Sequence, residues 1–145
     1  MAPRGEVVLA SDGDLAAVDP VNYAAVRRGR RAYLSGRFVG SGSGDSMGAV
    51  AFRQQVRRAF RPIERSLAAA RASLGDVTML RTYRAWRSPR GPATNAVQFA
   101  IFTPVKEKCM PAPHPAWRAV GVTELLPERG VIEIVGVAHV SHDQG

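Results

Sequence analysis

Trp117 to Ala138 read WRAVGVTELLPERGVIEIVGVA, two apolar runs parted by a polar turn. Each run carries one charge among apolar neighbours. Side chains alternate along a strand, so Arg118 shares a face with Val120 and Val122. In the second run Glu133 shares a face with Val131, Val135 and Val137, while Ile132, Ile134, Ala138 and Val140 take the other. Arginine and glutamate seldom go fully buried without partners, because an unpaired buried charge costs more than packing returns. The two charges are therefore expected to be compensated by each other, by another group, or by a charged ligand. Spacing does not pair them: a hairpin turn at Glu128 to Gly130 would set Arg118 near Val140.

Working outward, Glu6 to Ala10 is a short apolar run between Gly5 and SDGD and reads as a first strand. Ala32 to Ser35 reads as a second, stopped at Gly36. Gly40 to Asp45, GSGSGD, reads as a flexible loop. From about Met47 to Leu74 the residues Val50, Phe52, Val56, Phe60, Ile63 and Leu67 recur at helical spacing with arginines between them. Pro62 lies inside that stretch, where the missing donor is expected to kink or split the helix. Gly75-Asp76 ends it. Val77 to Trp86 reads as a strand, Ser88 to Pro92 as a break, and Thr94 to Thr103 as a shorter helix. Pro104 to Pro115, with four prolines, reads as irregular. The order ββαβαββ predicts an α+β fold, two helices on a mixed sheet.

The chain of 145 residues reads as a single domain over 1–145, with polar ends at 1–5 and 141–145 expected to be flexible. No apolar run approaches membrane-spanning length, and the N-terminal apolar stretch is too short for a signal peptide. The single Cys109 excludes an intramolecular disulfide and fits a reducing compartment, so the expected location is cytoplasmic. Net charge is +8, with 20 Lys and Arg against 12 Asp and Glu. That raises the question of nucleic acid, but the arginines are spread from Arg4 to Arg129, clustering only at Arg27 to Arg31, and no nucleic-acid module is visible. His114, His139, His142 and Cys109 lack metal-site spacing. GSGSG has no following P-loop lysine, and there is no nucleophile elbow or dinucleotide fingerprint. Neither a metal nor a cofactor is expected.

PAWRAVGV, then LLP, then VIEIVGVA resembles the C-terminal signature of the RidA (YjgF) family of imine and enamine deaminases. Upstream, Tyr23 followed by RRAYLSGR is similar to that family's tyrosine and its strand closing in Ser-Gly-Gln. SLAAARASLGDVTMLRTY resembles its helix, junction and next strand. The resemblance runs from about Tyr23 to Val140. It implies a chorismate-mutase-like fold, a homotrimer with ligand clefts between subunits, and cofactor-free hydrolysis of a reactive imine or enamine to a carbonyl compound and ammonia.

Site residues follow from residue chemistry together with that resemblance. Arg118 can hold a carboxylate with two parallel hydrogen bonds, and the family's matching arginine anchors the substrate carboxylate; a structural ion pair is the plain alternative. Glu133 beside apolar walls has its charged form disfavoured, and the family's glutamate handles the attacking water; otherwise it is an arginine's partner. Tyr23 would donate a hydrogen bond or cover the substrate. The Gly36 amide would help hold the carboxylate, although strand-end glycines are common for turn reasons alone. Asn95 aligns with a family asparagine and could equally start its helix.

The chain also departs from the pattern. Val120 stands where the family often has cysteine, Val135 replaces the second acidic residue of Ile-Glu-Ile-Glu, and Trp117 replaces alanine just before the arginine. The loop before Trp117 is longer than usual. A bulky indole beside the anchor would line and reshape the substrate pocket. The functional readings are thus an imine/enamine deaminase, a pathway-dedicated biosynthetic member acting on a larger intermediate, a non-catalytic trimeric ligand-binding protein, and an RNA-directed activity as in some relatives.

Overall fold

The computed structural model describes residues 6–8, 25–40, 48–88, 91, 94–126 and 130–140. The strands are β1 (Glu6–Val8), β2 (Ala25–Arg28), β3 (Arg31–Gly40), β4 (Val77–Arg84), β5 (Ala116–Gly121) and β6 (Gly130–His139). The helices are α1 (Ala49–Ala69), between β3 and β4, and α2 (Asn95–Cys109), between β4 and β5. All six strands form one sheet in the order β1-β2-β3-β6-β4-β5. Pairing is antiparallel except between β4 and β5, which are parallel. A parallel pair needs a crossover, and α2 supplies it.

One face of the sheet carries both helices. From α1, Phe52, Val56, Phe60, Ile63 and Leu67 are buried, three or four residues apart. Ile101, Phe102 and Val105 descend from α2. They meet Leu34 and Val39 of β3, Leu80 of β4, and Ile132, Ile134 and Ala138 of β6 in one cluster. The β6 alternation read from sequence holds from Ile132 to Ala138, and its helix-facing set forms the floor of this core. Val131, read onto the Glu133 face, is instead fully buried in the core cluster beside a register shift.

Several boundaries differ from the sequence reading. The arginine cluster is a hairpin: Arg28 pairs with Arg31, and Gly29, at φ 58°, takes the left-handed turn conformation that a side chain would resist. An additional strand, β2, is therefore present. The second strand does not stop at Gly36 but continues to Gly40, with a register shift between Leu34 and Arg37. A bulge absorbs the glycine instead of ending the strand.

Helix α1 ends at Ala69, short of Leu74. Arg71 follows at φ 64°, and a 3-10 turn over Leu74–Asp76 is closed by the Asp76 carboxylate, which accepts from the Ser73 amide at 2.9 Å. The helix runs through Pro62 without splitting, and α2 runs through Pro104 to Cys109. Each proline deprives a carbonyl four residues earlier of its donor. Those carbonyls belong to Arg58 and Ala100, both exposed, where water can serve them. Strand β4 ends at Arg84 rather than Trp86. Most of the GSGSGD loop, Pro89, Arg90, Pro92 and both chain ends lie outside the described residues.

The topology also removes the hairpin expected between the last two strands. β5 lies at the sheet edge beside β4, and β6 is inserted between β3 and β4. The two are not neighbours.

Candidate active site

The face away from the helices is open, and the register arranges its side chains in rows. One row runs Phe38, Glu133, Tyr83, Val120 across β3, β6, β4 and β5. The next holds Val135, Arg81 and Arg118, and beyond it lie Tyr33, Val137, Met79 and Ala116. Two charges from the opening motif thus share this face, a placement that comes from the pairing of both strands with β4 and not from their own alternation.

Glu133 is half-buried between Phe38 and Tyr83. Its side chain lies over Gly36 in the β3 bulge. A Cβ on Gly36 would sit 2.6 Å from Glu133 Cγ and would overlap Oε1. Only a residue without a side chain leaves room for the carboxyl there. Burial disfavours the charged form and raises the Glu133 carboxyl above its ordinary range.

Arg118 is exposed. It is not a core charge, because β5 is an edge strand and only its Trp117 side packs on the helices. Its neighbour in register is Arg81, so two guanidiniums stand side by side on the open face. Arg118 and Glu133 sit two strand positions and one pleat apart, about 12 Å between Cα atoms at ~4.8 Å per strand. They are not ion-pair partners. Arg118 and Gly36 are three strand positions apart, about 14 Å between Cα atoms, so within one chain a small carboxylate would bridge them only with the arginine at full stretch. Below Glu133, an open groove of about 490 Å³ runs along β6, bordered by Arg31, Tyr33, Arg81, Val137 and His139.

The profile of the family described as endoribonuclease L-PSP, that of YjgF and RidA, matches residues 13–140. The chain belongs to this family. Solved structures agree. A Mycobacterium tuberculosis member of the YjgF/YER057c/UK114 family is 27% identical, with a TM-score of 0.67 over 93% of this chain and 98% of that one. RidA from an Antarctic Psychrobacter is 22% identical, with a TM-score of 0.65 over 96% of each chain. Yeast Mmf1 is 20% identical, with a TM-score of 0.66 over 84% of this chain and 89% of its own. A search of curated proteins gives no match.

Within the family fold, the other residues singled out from sequence fall as follows. Trp117 points to the helix side, opposite Arg118. Its ring stacks on Phe99 at 5.2 Å and 7°, lies under the Lys106 ammonium at 4.8 Å, and its Nε1 donates to Thr82 Oγ1 at 3.1 Å. The expected pocket-lining role is not what this placement gives: consecutive strand residues face opposite ways, so the indole packs against α2. Asn95 opens α2, but the cap is Thr94, whose Oγ1 accepts from the Val97 amide at 3.2 Å. Tyr23 lies outside the described residues. Among the described residues no three potential metal ligands cluster, and no helix is long and apolar enough to cross a membrane.

The sequence reading missed Phe38, Arg81 and Tyr83. Alternation along VTMLRTYR does put Met79, Arg81 and Tyr83 on one face. Nothing in that run says which face is open.

Proposed function

We propose that this protein is a cofactor-free hydrolytic deaminase of small imines or enamines bearing a carboxylate, its site completed between protomers of a homotrimer. The observation that carries this reading is the Glu133 carboxyl seated on Gly36, with an edge-strand arginine on the same face several strand positions away. A carboxylate bound by Arg118 of one protomer would approach Gly36 and Glu133 of the next. Tyr33 and Phe38, 42% and 41% exposed, adjoin Met79, Val135 and Val137 on that face. An aromatic and aliphatic face of this kind favours cover by another copy.

The chemistry asks little of the protein. An iminium carbon is already electrophilic, and holding it beside one water supplies most of the acceleration. Glu133 takes a proton from the water as its oxygen bonds to carbon. It then returns a proton to nitrogen and, again a carboxylate, takes the hydroxyl proton as the C=O bond forms and the C–N bond breaks, so ammonia leaves with a keto acid behind. Burial raises the Glu133 carboxyl, which makes it a better base than an ordinary exposed carboxylate. The larger-substrate reading leaned on Trp117 and on the longer loop before it, and of these the indole lies on the other face.

Release of ammonia and keto acid from 2-aminoacrylate generated in situ tests this. Arg118→Ala is expected to lower kcat/KM at least about a hundredfold, through loss of a charged two-point contact. No acceleration by the wild type, or full activity in Arg118→Ala, refutes the mechanism. Carboxylate binding that survives Glu133→Ala, with no turnover by the wild type, identifies a binding protein instead.

A further inference from the structure

Part of the arginine excess is gathered by the fold onto one helix face. On α1, Arg53, Arg57, Arg61 and Arg65 follow one another at four-residue steps, with Arg58 beside them, and all five are exposed. At about 100° per residue they fan across the arc opposite the buried stripe of Phe52, Val56 and Ile63. Arg53 to Arg65 spans about 18 Å of helix. Glu64 is the single acid on the helix. Like charges four residues apart repel, and nothing in the core requires them.

The surface continues past the helix end. Arg27 Nη1 donates to the Ala70 carbonyl at 3.1 Å, which holds the β2–β3 turn against the end of α1. Exposed Arg30 on that turn, with Arg71, extends the positive strip, whereas Arg28 pairs with Arg31 and lies on the open face. This strip is on the helix side of the sheet, away from Glu133 and Arg118.

From this geometry we infer that the outer face of α1 and the adjoining turn dock the phosphate backbone of a nucleic-acid duplex, without reading its sequence. Charge complementarity selects a polyanion, and guanidiniums are suited to phosphate oxygens. The face has no exposed aromatic residue, since both phenylalanines of α1 are buried. Single-strand binders use aromatic platforms for the bases, so a duplex, whose bases are already stacked, fits better. No strand cleavage is assigned to this surface.

Fluorescence anisotropy with a labelled duplex of arbitrary sequence tests it. Five helix arginines on phosphates predict a log–log salt slope near about −4.5, roughly a 500-fold loss of affinity between 50 and 200 mM salt. The Arg57→Gln, Arg61→Gln, Arg65→Gln variant should bind with a slope near about −1.8, losing only about twelvefold over that range. Glutamine has nearly arginine's helix propensity, and unchanged circular dichroism and deaminase turnover would show an intact fold. Glu64→Gln should tighten binding. Absence of duplex binding at 50 mM salt, an unchanged slope in the triple variant, or binding to phosphatidylserine vesicles but not to duplex would each overturn the assignment.

Discussion

Replacing Gly36 by alanine tests the seating of Glu133 without presupposing any activity. The new Cβ would lie 2.6 Å from Glu133 Cγ, whereas carbon atoms rest comfortably at about 3.5–4.0 Å. The Cγ must therefore retreat by about 1 Å, and the overlapping Oε1 by more. Overpacking of this kind costs about 1–3 kcal/mol, and the low end is expected because Glu133 can swing into the open face. About 1 kcal/mol corresponds to a Tm lower by roughly 3 °C for a chain of this size. In a Glu133→Ala background the same Cβ finds the space vacated, so the penalty should disappear. A double-mutant cycle by urea denaturation should give a coupling of about 1 kcal/mol. The displaced carboxyl should also cost turnover about a hundredfold, the usual toll of an ångström's misplacement. An alanine penalty equal in both backgrounds would refute the contact. Unchanged turnover in Gly36→Ala would refute its part in catalysis.

Glu133 also predicts a pH dependence. Its native carboxyl is raised by burial, so above the unfolded value of about 4.3 the native state holds the proton more tightly than the unfolded chain. The stability this contributes is complete below that value and is lost as pH rises through the raised native one; Glu133→Gln should thus unfold at higher urea than wild type at neutral pH, and an equal or lower midpoint would contradict it. Trp117→Phe keeps a ring against Phe99 but loses the bond to the buried Thr82 hydroxyl. It should lower Tm by roughly 3–6 °C, about 1–2 kcal/mol, with KM unchanged; a changed KM at unchanged Tm would restore the substrate-lining role.

Period was legible in this sequence; neighbourhood was not. The two-residue alternation of VIEIVGVA was enough to split β6 into a core face and a face bearing Glu133. It could not say that β6 enters the sheet between β3 and β4, because the strand nearest in sequence, β5, is tied instead to β4 by the α2 crossover. That one unread connection accounts for the misplaced expectations about Arg118, which reads as a core charge only if its strand has neighbours on both sides. Proline misled for a related reason. Pro62 and Pro104 look like breaks in a one-dimensional pattern, but whether a lost hydrogen bond matters depends on whether solvent reaches the orphaned carbonyl. Gly36 was singled out, although its physical reason was hidden: the atom that excludes a side chain there comes from a residue 97 positions later.

The position of β5 at the sheet border has a consequence for how freely this chain can diverge. A border strand with unsatisfied backbone groups is a template for aggregation, and a charge in its middle is a common safeguard. AWRAVG contains one charged residue, Arg118. Whatever Arg118 binds, it could therefore not simply be exchanged for a small neutral residue. The exchange would leave an apolar ribbon open to its neighbours, so solubility by itself is a reason for an arginine at this position.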